Sequence, residues 1–206
     1  MRISVTTIES YRRYLGGVDD EKKLIDSITK RSPPTENMMR GTAFHSILES
    51  PGQYYIEQSN IYDCNSIVFN AEIVNQCIPV IDYSGAFEMS NTKIYSIDGE
   101  QITVSGRCDQ IIGSKVVENK TKWSTFDIDS YQESCQWRFY IDIYNVSAVK
   151  YNVFCMSALV AGIRLNSIEV FEMHPYPNLK NDVNFLLKQF VEYIHFRKLE
   201  EFFPNK

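Results

Sequence analysis

Apolar and polar residues alternate through the middle of this chain in the pattern that β-strands require. Two segments rich in β-branched residues, Gln101–Ile112 and Lys115–Lys122, are separated by Gly113-Ser114. A two-residue Gly-Ser loop favours a primed turn, so the two segments form a predicted hairpin. Asp98-Gly99 is an equally short hairpin signal just before them. The two hairpins in succession predict an antiparallel meander.

Helical patterns flank the meander on both sides. Thr6-Thr7-Ile8-Glu9 has the form of a capping box, which predicts a first helix that begins at Thr6 and ends at Gly16-Gly17. Further helices are predicted over Asp20–Thr29, Glu36–Glu49, Ser66–Cys77, Ser130–Asn145 and Leu179–Phe203, and further strands over Val149–Met156 and Ser167–Met173. This order predicts an α/β fold with a mixed central β-sheet, in which the antiparallel meander is flanked by helices.

The Gly113-Ser114 turn also fixes a register for its hairpin. Counting back from the turn along both strands places Asp109 directly opposite Glu118, and strand alternation puts Lys120 on the same face as Glu118. Directly opposed acids have Cβ atoms roughly 4.5–5.5 Å apart and repel each other. One explanation is a divalent cation between them, since Mg²⁺ is commonly held by one or two carboxylates. The alternative is a pair of solvated charges on an exposed sheet face.

The residues that flank these acids are apolar on both faces of the predicted strands, as in a central strand of a sheet. An acid in such a strand is costly to bury without a partner. The flanking composition therefore favours the cation site over the pair of solvated charges.

Composition limits the possible classes of protein. With 206 residues, 44% of them apolar and 23% charged, the chain is long enough for one α/β domain over 1–206. Within it, 1–90 is predicted to be mainly helical and 91–206 to contain the sheet and the closing helix. No stretch approaches the ~20 apolar residues that span a bilayer, and the N-terminus lacks the apolar core of a signal peptide. A cytoplasmic protein without a membrane partner is therefore expected.

Charge and cysteine content narrow the classes further. The net charge of −5 argues against a protein that coats nucleic acid non-specifically. It does not exclude a nuclease, because catalytic carboxylates add to the negative count and a small basic rim is available to guide a strand. That rim consists of Arg12, Arg13, Arg40, Lys120 and Lys122. The five cysteines are scattered and never form a C-x-x-C pair, so neither a disulfide framework nor a zinc or iron–sulfur site is indicated.

Two helical segments carry further candidate residues. His45 and Glu49 stand at i and i+4 of one predicted helix and share a face, so His45 is a candidate metal ligand. A lone helical histidine is more often a capping or packing residue. Gln136 and Tyr140 have the same spacing on a later helix, where an amide and a phenol are available to a phosphate or a base. Read in isolation, that pair is a surface glutamine beside a core tyrosine.

Four motifs occur in a fixed order along the chain: Gly41-x-x-x-His45, Gly106-x-x-Asp109, Glu118-x-Lys120-Thr121 and Gln136-x-x-x-Tyr140. In this order they resemble the PD-(D/E)XK nuclease superfamily, and within it the RecB-like exonuclease branch, which includes phage exonucleases and the mitochondrial genome maintenance exonuclease. The N-terminal Ser4-x-Thr6-x-x-Glu9-x-Tyr11 also resembles a helix entry of that branch. The resemblance implies a restriction-endonuclease-like core.

The resemblance also implies metal ligands. His45, Asp109, Glu118 and the backbone carbonyl of Asn119 would hold Mg²⁺ or Mn²⁺, as one or two ions. Glu49 is a weaker candidate as support for a second ion. Lys120 would orient or activate the attacking water, so the implied catalytic residues are Asp109, Glu118 and Lys120.

Substrate contacts are implied for Gln136, Tyr140 and Thr121, and more weakly for Arg107. The iron–sulfur cysteines of some relatives have no equivalents here, so no cluster is expected. No G-x-x-x-x-G-K-[ST] motif for ATP is present, so any motor would be a separate chain. The acid of the E-x-K element is Glu118, where the RecB-like branch usually has Asp.

The leading hypothesis is a Mg²⁺- or Mn²⁺-dependent DNA exonuclease of phage or mobile-element recombination, replication or repair. DNA is the expected partner, with a separate recombination, replication or helicase protein as a further one. The alternatives are a structure- or site-directed endonuclease of the same fold and a catalytically silent DNA- or protein-binding module. No oligomeric state is predicted.

Overall fold

The computed structural model describes residues 1–159 and 162–204 and shows a mixed α/β fold. In chain order the strands are β1 (Arg2–Ser4), β2 (Tyr55–Ile56), β3 (Ile61–Cys64), β4 (Ile67–Asn70), β5 (Ala86–Ile97), β6 (Glu100–Ile112), β7 (Lys115–Lys122), β8 (Ala148–Leu159) and β9 (Gly162–Met173). The helices are α1 (Val5–Leu15), α2 (Glu21–Thr29), α3 (Glu36–Glu49), α4 (Pro51–Tyr54), α5 (Ala71–Cys77), α6 (Ile128–Glu133), α7 (Gln136–Tyr144) and α8 (Leu179–Arg197). Short 3₁₀ helices lie between these elements at Glu57–Ser59 and Ile78–Val80, and after α8 at Glu200–Phe202.

Strand β6 organises the main six-stranded sheet. Strand β5 pairs antiparallel with nearly the whole length of β6, from Ile97↔Glu100 to Ala86↔Ile111. On the other side, β1 pairs in parallel with residues 103–105 and β7 pairs antiparallel with residues 110–112. Beyond β7 the sheet continues with parallel β8 and antiparallel β9. The parallel and antiparallel pairings confirm the predicted mixed sheet with its antiparallel meander.

The two faces of this sheet are buried in two apolar clusters. Along β8, Tyr151 and Val153 join a cluster with α1, α7 and α8, whereas Phe154 and Met156 join a cluster with α3, α5 and the small sheet β2-β3-β4. Alternate residues of a strand point to opposite faces, so one strand contributes to both clusters. Helices therefore cover both faces, which is why the central strands are apolar on both sides.

Both turn predictions and two helix predictions are confirmed. The loops at Asp98-Gly99 and Gly113-Ser114 each join adjacent strands, and Gly113 has a φ of 57° as a primed turn requires. Helix α3 has the predicted bounds, and α2 begins one residue after its cap, Asp20, whose side chain accepts from the Lys23 N–H. These features depend on local chemistry of the turn or cap.

The prediction that the first helix begins at Thr6 is wrong. Ser4 is the N-cap of α1, and its Oγ accepts from the Thr7 N–H at 3.1 Å. The Glu9 carboxylate is used elsewhere, since its Oε2 accepts from the Cys135 N–H at 2.8 Å and from the Ser134 hydroxyl at 3.0 Å. A tertiary contact with the start of α7 thus replaces the local capping box.

Three other helix predictions need correction. Ser66–Cys77 was expected to be one helix, but it contains β4 followed by α5, which Asn70 caps. Ser130–Asn145 is divided into α6 and α7 by extended backbone at Ser134, with a ψ of 136°. The closing helix ends at Arg197 because Lys198 adopts a left-handed conformation.

Three further observations concern the predicted class of protein. Residues 1–90 carry α1 to α5, but they also contain the small sheet β2-β3-β4 and contribute β1 and the first residues of β5 to the main sheet. The single domain stays a prediction. All five cysteines are buried free thiols. None of the helices within 1–159 and 162–204 is long and apolar enough to cross a membrane.

Candidate active site

A gap in the main sheet creates the candidate site. Residues 106–109 of β6 lie between the stretches that pair with β1 and with β7, and no ladder partner from that side is found for them in the part of the chain that the structure describes. Two tyrosines of α7 bond to carbonyls in this stretch. Tyr140 Oη donates to the Arg107 carbonyl at 2.6 Å, whereas Tyr144 Oη lies 2.9 Å from the Gly106 carbonyl and 2.6 Å from the Met89 carbonyl of β5. Tyr140 thus takes the place of a strand partner at Arg107, and Tyr144 binds across β5 and β6.

Gly106 allows this close approach. A Cβ at Gly106 would lie 3.0 Å from the Tyr140 ring, which is tighter than ordinary van der Waals contact. The glycine of the second motif is therefore explained by the aromatic residue of the fourth.

The predicted register holds up to the acids, where the ladder ends. Gln110↔Val117 is the last ladder pair of β6 and β7, as counted from the turn. Asp109 and Glu118 are next in that count but form no ladder pair, and their direct opposition stays a prediction; each carboxylate accepts from the other strand's main chain. The Asn119 N–H donates to Asp109 Oδ2 at 2.7 Å, and the Asp109 N–H donates to Glu118 Oε1 at 3.3 Å. Two N–H donors thus offset the repulsion that a direct acid pair would suffer.

Glu118 is the most buried acid of the site, with only 1% of its surface exposed. Burial raises the pKa of its carboxyl to about 7, with Lys120 opposing this shift and Asp109 adding to it. Its Oε2 forms an ion pair with Lys120 Nζ and accepts from Gln136 Nε2 at 3.4 Å. Burial lowers the pKa of Lys120, but Glu118 and Asp109 raise it by more, so the net shift is upward and the lysine is charged.

Helix α3 brings His45 to the same place. Its Nδ1 lies 3.8 Å from Asp109 Oδ2. Burial lowers the pKa of His45, with Asp109 opposing the shift and Lys120 adding to it, so the imidazole favours its neutral form with a free lone pair. Gly41 sets the distance between α3 and β7, because a Cβ there would lie 2.8 Å from Thr121 Oγ1.

A second group of charges borders the site and includes one residue that the sequence did not indicate. Glu88 of β5 lies between the pairs Phe87↔Gln110 and Met89↔Cys108, and hence across from Asp109. It forms an ion pair with Arg107 and has a left-handed φ of 55°. Burial, followed by a hydrogen bond with Glu88, raises the pKa of Glu49 to about 7. Only the register of β5 against β6 reveals Glu88 as a neighbour of the site.

The structure therefore brings together five of the predicted residues, namely His45, Asp109, Glu118, Lys120 and Gln136. Tyr140 is only 2% exposed, and its hydroxyl also accepts from Gln136 Nε2 at 2.8 Å, so it lies behind the site and supports it.

The expected basic rim is mostly engaged in contacts within the chain. Arg12 and Arg13 form ion pairs with Glu9 and Asp19. Arg40 pairs with Glu36, and its guanidinium lies 5.6 Å from the centroid of the Trp123 ring.

The donor set fits a hard divalent cation in chemistry and charge. Two carboxylates face one lysine, which leaves a net negative charge, and a neutral imidazole lies beside them. Within 1–159 and 162–204, however, no three His, Cys, Asp or Glu side chains are arranged closely enough to hold a metal ion as they stand. The assignment of His45, Asp109 and Glu118 as ligands therefore stays a prediction.

Comparisons with known proteins add evidence on the fold. No protein-family model matches the chain, and no curated protein matches it. The crystal structure of SSO0001 is similar over 93% of this chain and 76% of that one, with 16% identity and a TM-score of 0.56. A phage-related exonuclease from Haemophilus somnus 129PT is similar over 94% of this chain and 96% of that one, with 10% identity and a TM-score of 0.41. The first likeness shows a shared fold, and the second is too low to show fold or activity.

Proposed function

We propose that this chain is a metal-dependent nuclease of the PD-(D/E)XK type that hydrolyses phosphodiester bonds in DNA. The observation that carries the proposal is the meeting of Asp109, Glu118 and Lys120 at a gap between two strands, with His45 3.8 Å from Asp109. Such a set is unusual as surface charge, because Glu118 is buried and its pKa is raised by that burial. Strongly perturbed carboxyls beside a charged partner are typical of functional sites.

Each residue has a chemical role in this proposal. Mg²⁺ or Mn²⁺ held by His45, Asp109, Glu118 and the Asn119 carbonyl would supply Lewis acidity to the attacking water and to the phosphoryl oxygens. Lys120, which Glu118 keeps charged, stabilises the negative charge that develops on the phosphate.

The residues of α7 hold this arrangement in place. Gln136 bridges the Glu118 carboxylate and the Tyr140 hydroxyl, so one helix orients the acid and binds β6 at the Arg107 carbonyl. Arg107, whose side chain is 68% exposed, and Thr121 border the site. Both side chains would contact the DNA strand in this proposal.

The finer proposal is an exonuclease that acts on DNA ends in phage or mobile-element recombination, replication or repair. The ordered motifs from Gly41 to Tyr140 support it, because their combination resembles the RecB-like branch. A separate recombination, replication or helicase protein would supply any motor activity.

A cleavage assay on two DNA substrates tests both levels of the proposal. Linear duplex and covalently closed circles are incubated with Mg²⁺, Mn²⁺ or EDTA, beside the Asp109→Ala variant. We expect linear DNA to be degraded only with metal, circles to persist, and Asp109→Ala to be inactive. Nicking of circles indicates an endonuclease instead, and metal-independent binding without cleavage indicates the silent module.

A further inference from the structure

Two amide residues lie directly behind the acids of the candidate site. Gln110 follows Asp109 on β6, and Asn119 follows Glu118 on β7, so strand alternation points both amides to the opposite face of the sheet. Gln110 is 0% exposed and Asn119 is 5% exposed. Each strand therefore carries a buried amide one residue after its acid.

Each amide is attached to a different part of the fold. Gln110 Nε2 donates to the Asp82 carbonyl, in the loop before β5, at 2.9 Å. Asn119 Oδ1 accepts from Asn152 Nδ2 at 2.9 Å, and these two asparagines are in-register neighbours on parallel β7 and β8. The Gln110 bond thus joins β6 to the loop before β5, and the Asn119 bond joins β7 to β8.

Stability alone does not account for these amides. Gln110 Oε1 and Asn152 Oδ1 are buried and have no hydrogen-bond partner within the described residues. The same face of β8 carries Phe154 and Met156, which pack in the cluster around α3. Apolar side chains would avoid the cost of burying unpaired acceptors, and replacing both partners of such a bond by apolar groups is often nearly neutral.

Their place in the sheet suggests a reason for their presence. The ladder between β6 and β7 ends at Gln110↔Val117, so main-chain pairing no longer fixes the separation of the two strands at the acids. The Asn119 N–H donates to Asp109 Oδ2, and in an extended strand the N–H and C=O of one residue point to the same edge. The bond from Asn152 holds the Asn119 side chain. It therefore orients both the Asn119 N–H that binds Asp109 and the Asn119 carbonyl.

We propose that Gln110 and Asn152 are positioning residues that set the width of the gap between Asp109 and Glu118 and thereby its affinity for a divalent cation. This inference rests on the proposed metal-dependent function. The amides act through the strands and touch neither the metal nor the DNA. Residues that orient metal ligands from behind typically change metal affinity or activity about 10–100-fold when replaced.

The test measures metal binding separately from cleavage. Mn²⁺ binding to the whole chain without DNA is measured by electron paramagnetic resonance, with melting temperatures without metal, for Gln110→Met and for the double variant Asn119→Leu/Asn152→Leu. The double variant replaces both partners and so avoids a stranded amide. Met156→Leu, a volume-conserving change on the same face of β8, is the matched control.

We expect Mn²⁺ affinity to fall about tenfold in Gln110→Met and in the double variant, with wild-type affinity in the control. Melting temperatures should stay close to that of the wild type in all three. Wild-type Mn²⁺ affinity in both amide variants overturns the inference and leaves the proposed nuclease intact. A wild-type chain that binds no Mn²⁺ and cleaves no DNA overturns the proposed function, and the inference with it.

Discussion

The two ends of the β6/β7 hairpin are built differently. Next to the Gly113-Ser114 turn, three ladder pairs from Ile112↔Lys115 to Gln110↔Val117 hold the strands in a regular antiparallel arrangement. One residue further on, side chains replace the ladder, and Asp109 and Glu118 each accept from the opposite main chain. The hairpin thus passes from main-chain pairing to side-chain bonding within one residue, and the candidate site lies at that transition.

The same contrast appears in two Lys–Glu ion pairs of β7. Near the turn, Lys115 pairs with Glu172, which is 29% exposed at its side chain, and that pairing lowers the pKa of Glu172. At the gap, Lys120 pairs with Glu118, whose side chain is 1% exposed, and burial raises the carboxyl pKa to about 7 despite the lysine. The lysine lowers the carboxyl pKa at both ends, but the net shifts are opposite, because desolvation outweighs pairing only where the acid is buried.

The largest difference between the two ends of the hairpin is expected when the lysine at each end is replaced by alanine and cleavage rates are compared. Lys120→Ala is expected to lower the cleavage rate of linear DNA about 10²–10³-fold, because in the proposed mechanism it removes the cation that stabilises charge on the phosphate. Lys115→Ala removes an exposed pair on the same strand and should leave the rate near that of the wild type. Single-turnover rates at saturating metal measure both. Equal rates in the two variants would remove Lys120 from the catalytic assignment.

The sequence could predict the turn end of the hairpin because its determinants are local. Gly113 and Ser114 specify the turn, the turn specifies the register, and alternation then assigns every residue to a face. The caps at Asp20 and Thr35 specify α2 and α3 for the same reason. His45, Asp109, Glu118, Lys120 and Gln136 were found because their motifs occur in a fixed order along the chain.

The parts that could not be predicted depend on contacts between distant segments. Glu9 accepts from the Cys135 N–H at the start of α7 and does not cap its own helix, which begins at Val5 after its cap, Ser4. Glu88 becomes a neighbour of the site only through the pairing of β5 with β6. The bond from Tyr140 of α7 to the Arg107 carbonyl joins segments that are distant in sequence, and no single-strand pattern includes it.

Two glycines provide a test of the contrast through stability. Gly106→Ala places a Cβ against the Tyr140 ring and should cost about 1–3 kcal/mol in the free energy of unfolding, as overpacking does. Gly113→Ala meets no neighbour within 4 Å, but its φ of 57° should cost about 1–2 kcal/mol. Urea unfolding measures both, and cleavage should fall only in Gly106→Ala. A Gly113→Ala variant with impaired cleavage would mean that the turn and the gap are mechanically linked.

Two buried tyrosines allow a test of the hydrogen bonds that line the gap. Tyr140→Phe removes the donor to the Arg107 carbonyl and should lower the free energy of unfolding by about 1–2 kcal/mol. Tyr151→Phe is the matched control, since its hydroxyl is buried without a partner among the described residues, and its removal should be neutral or stabilising. Chemical unfolding of the two variants gives the comparison. If Tyr140→Phe proves as stable as Tyr151→Phe, α7 does not substitute for a strand at the gap.

The smallest expected effect concerns His195 and Glu100 at the start of β6. Their side chains are solvent-accessible, as are those of the Lys115–Glu172 pair near the Gly113-Ser114 turn. Hydrogen bonds with Glu200 and with Glu100 raise the pKa of His195 above its ordinary value of 6.5. The stabilisation is therefore fully present below about pH 6.5 and is lost as the pH rises through the raised pKa. Because the His195 side chain is 46% exposed, it should amount to less than about 1 kcal/mol. The melting-temperature difference between wild type and His195→Gln should be largest near pH 6 and shrink at higher pH. A difference that does not change with pH would show that the pair contributes by packing and not by charge.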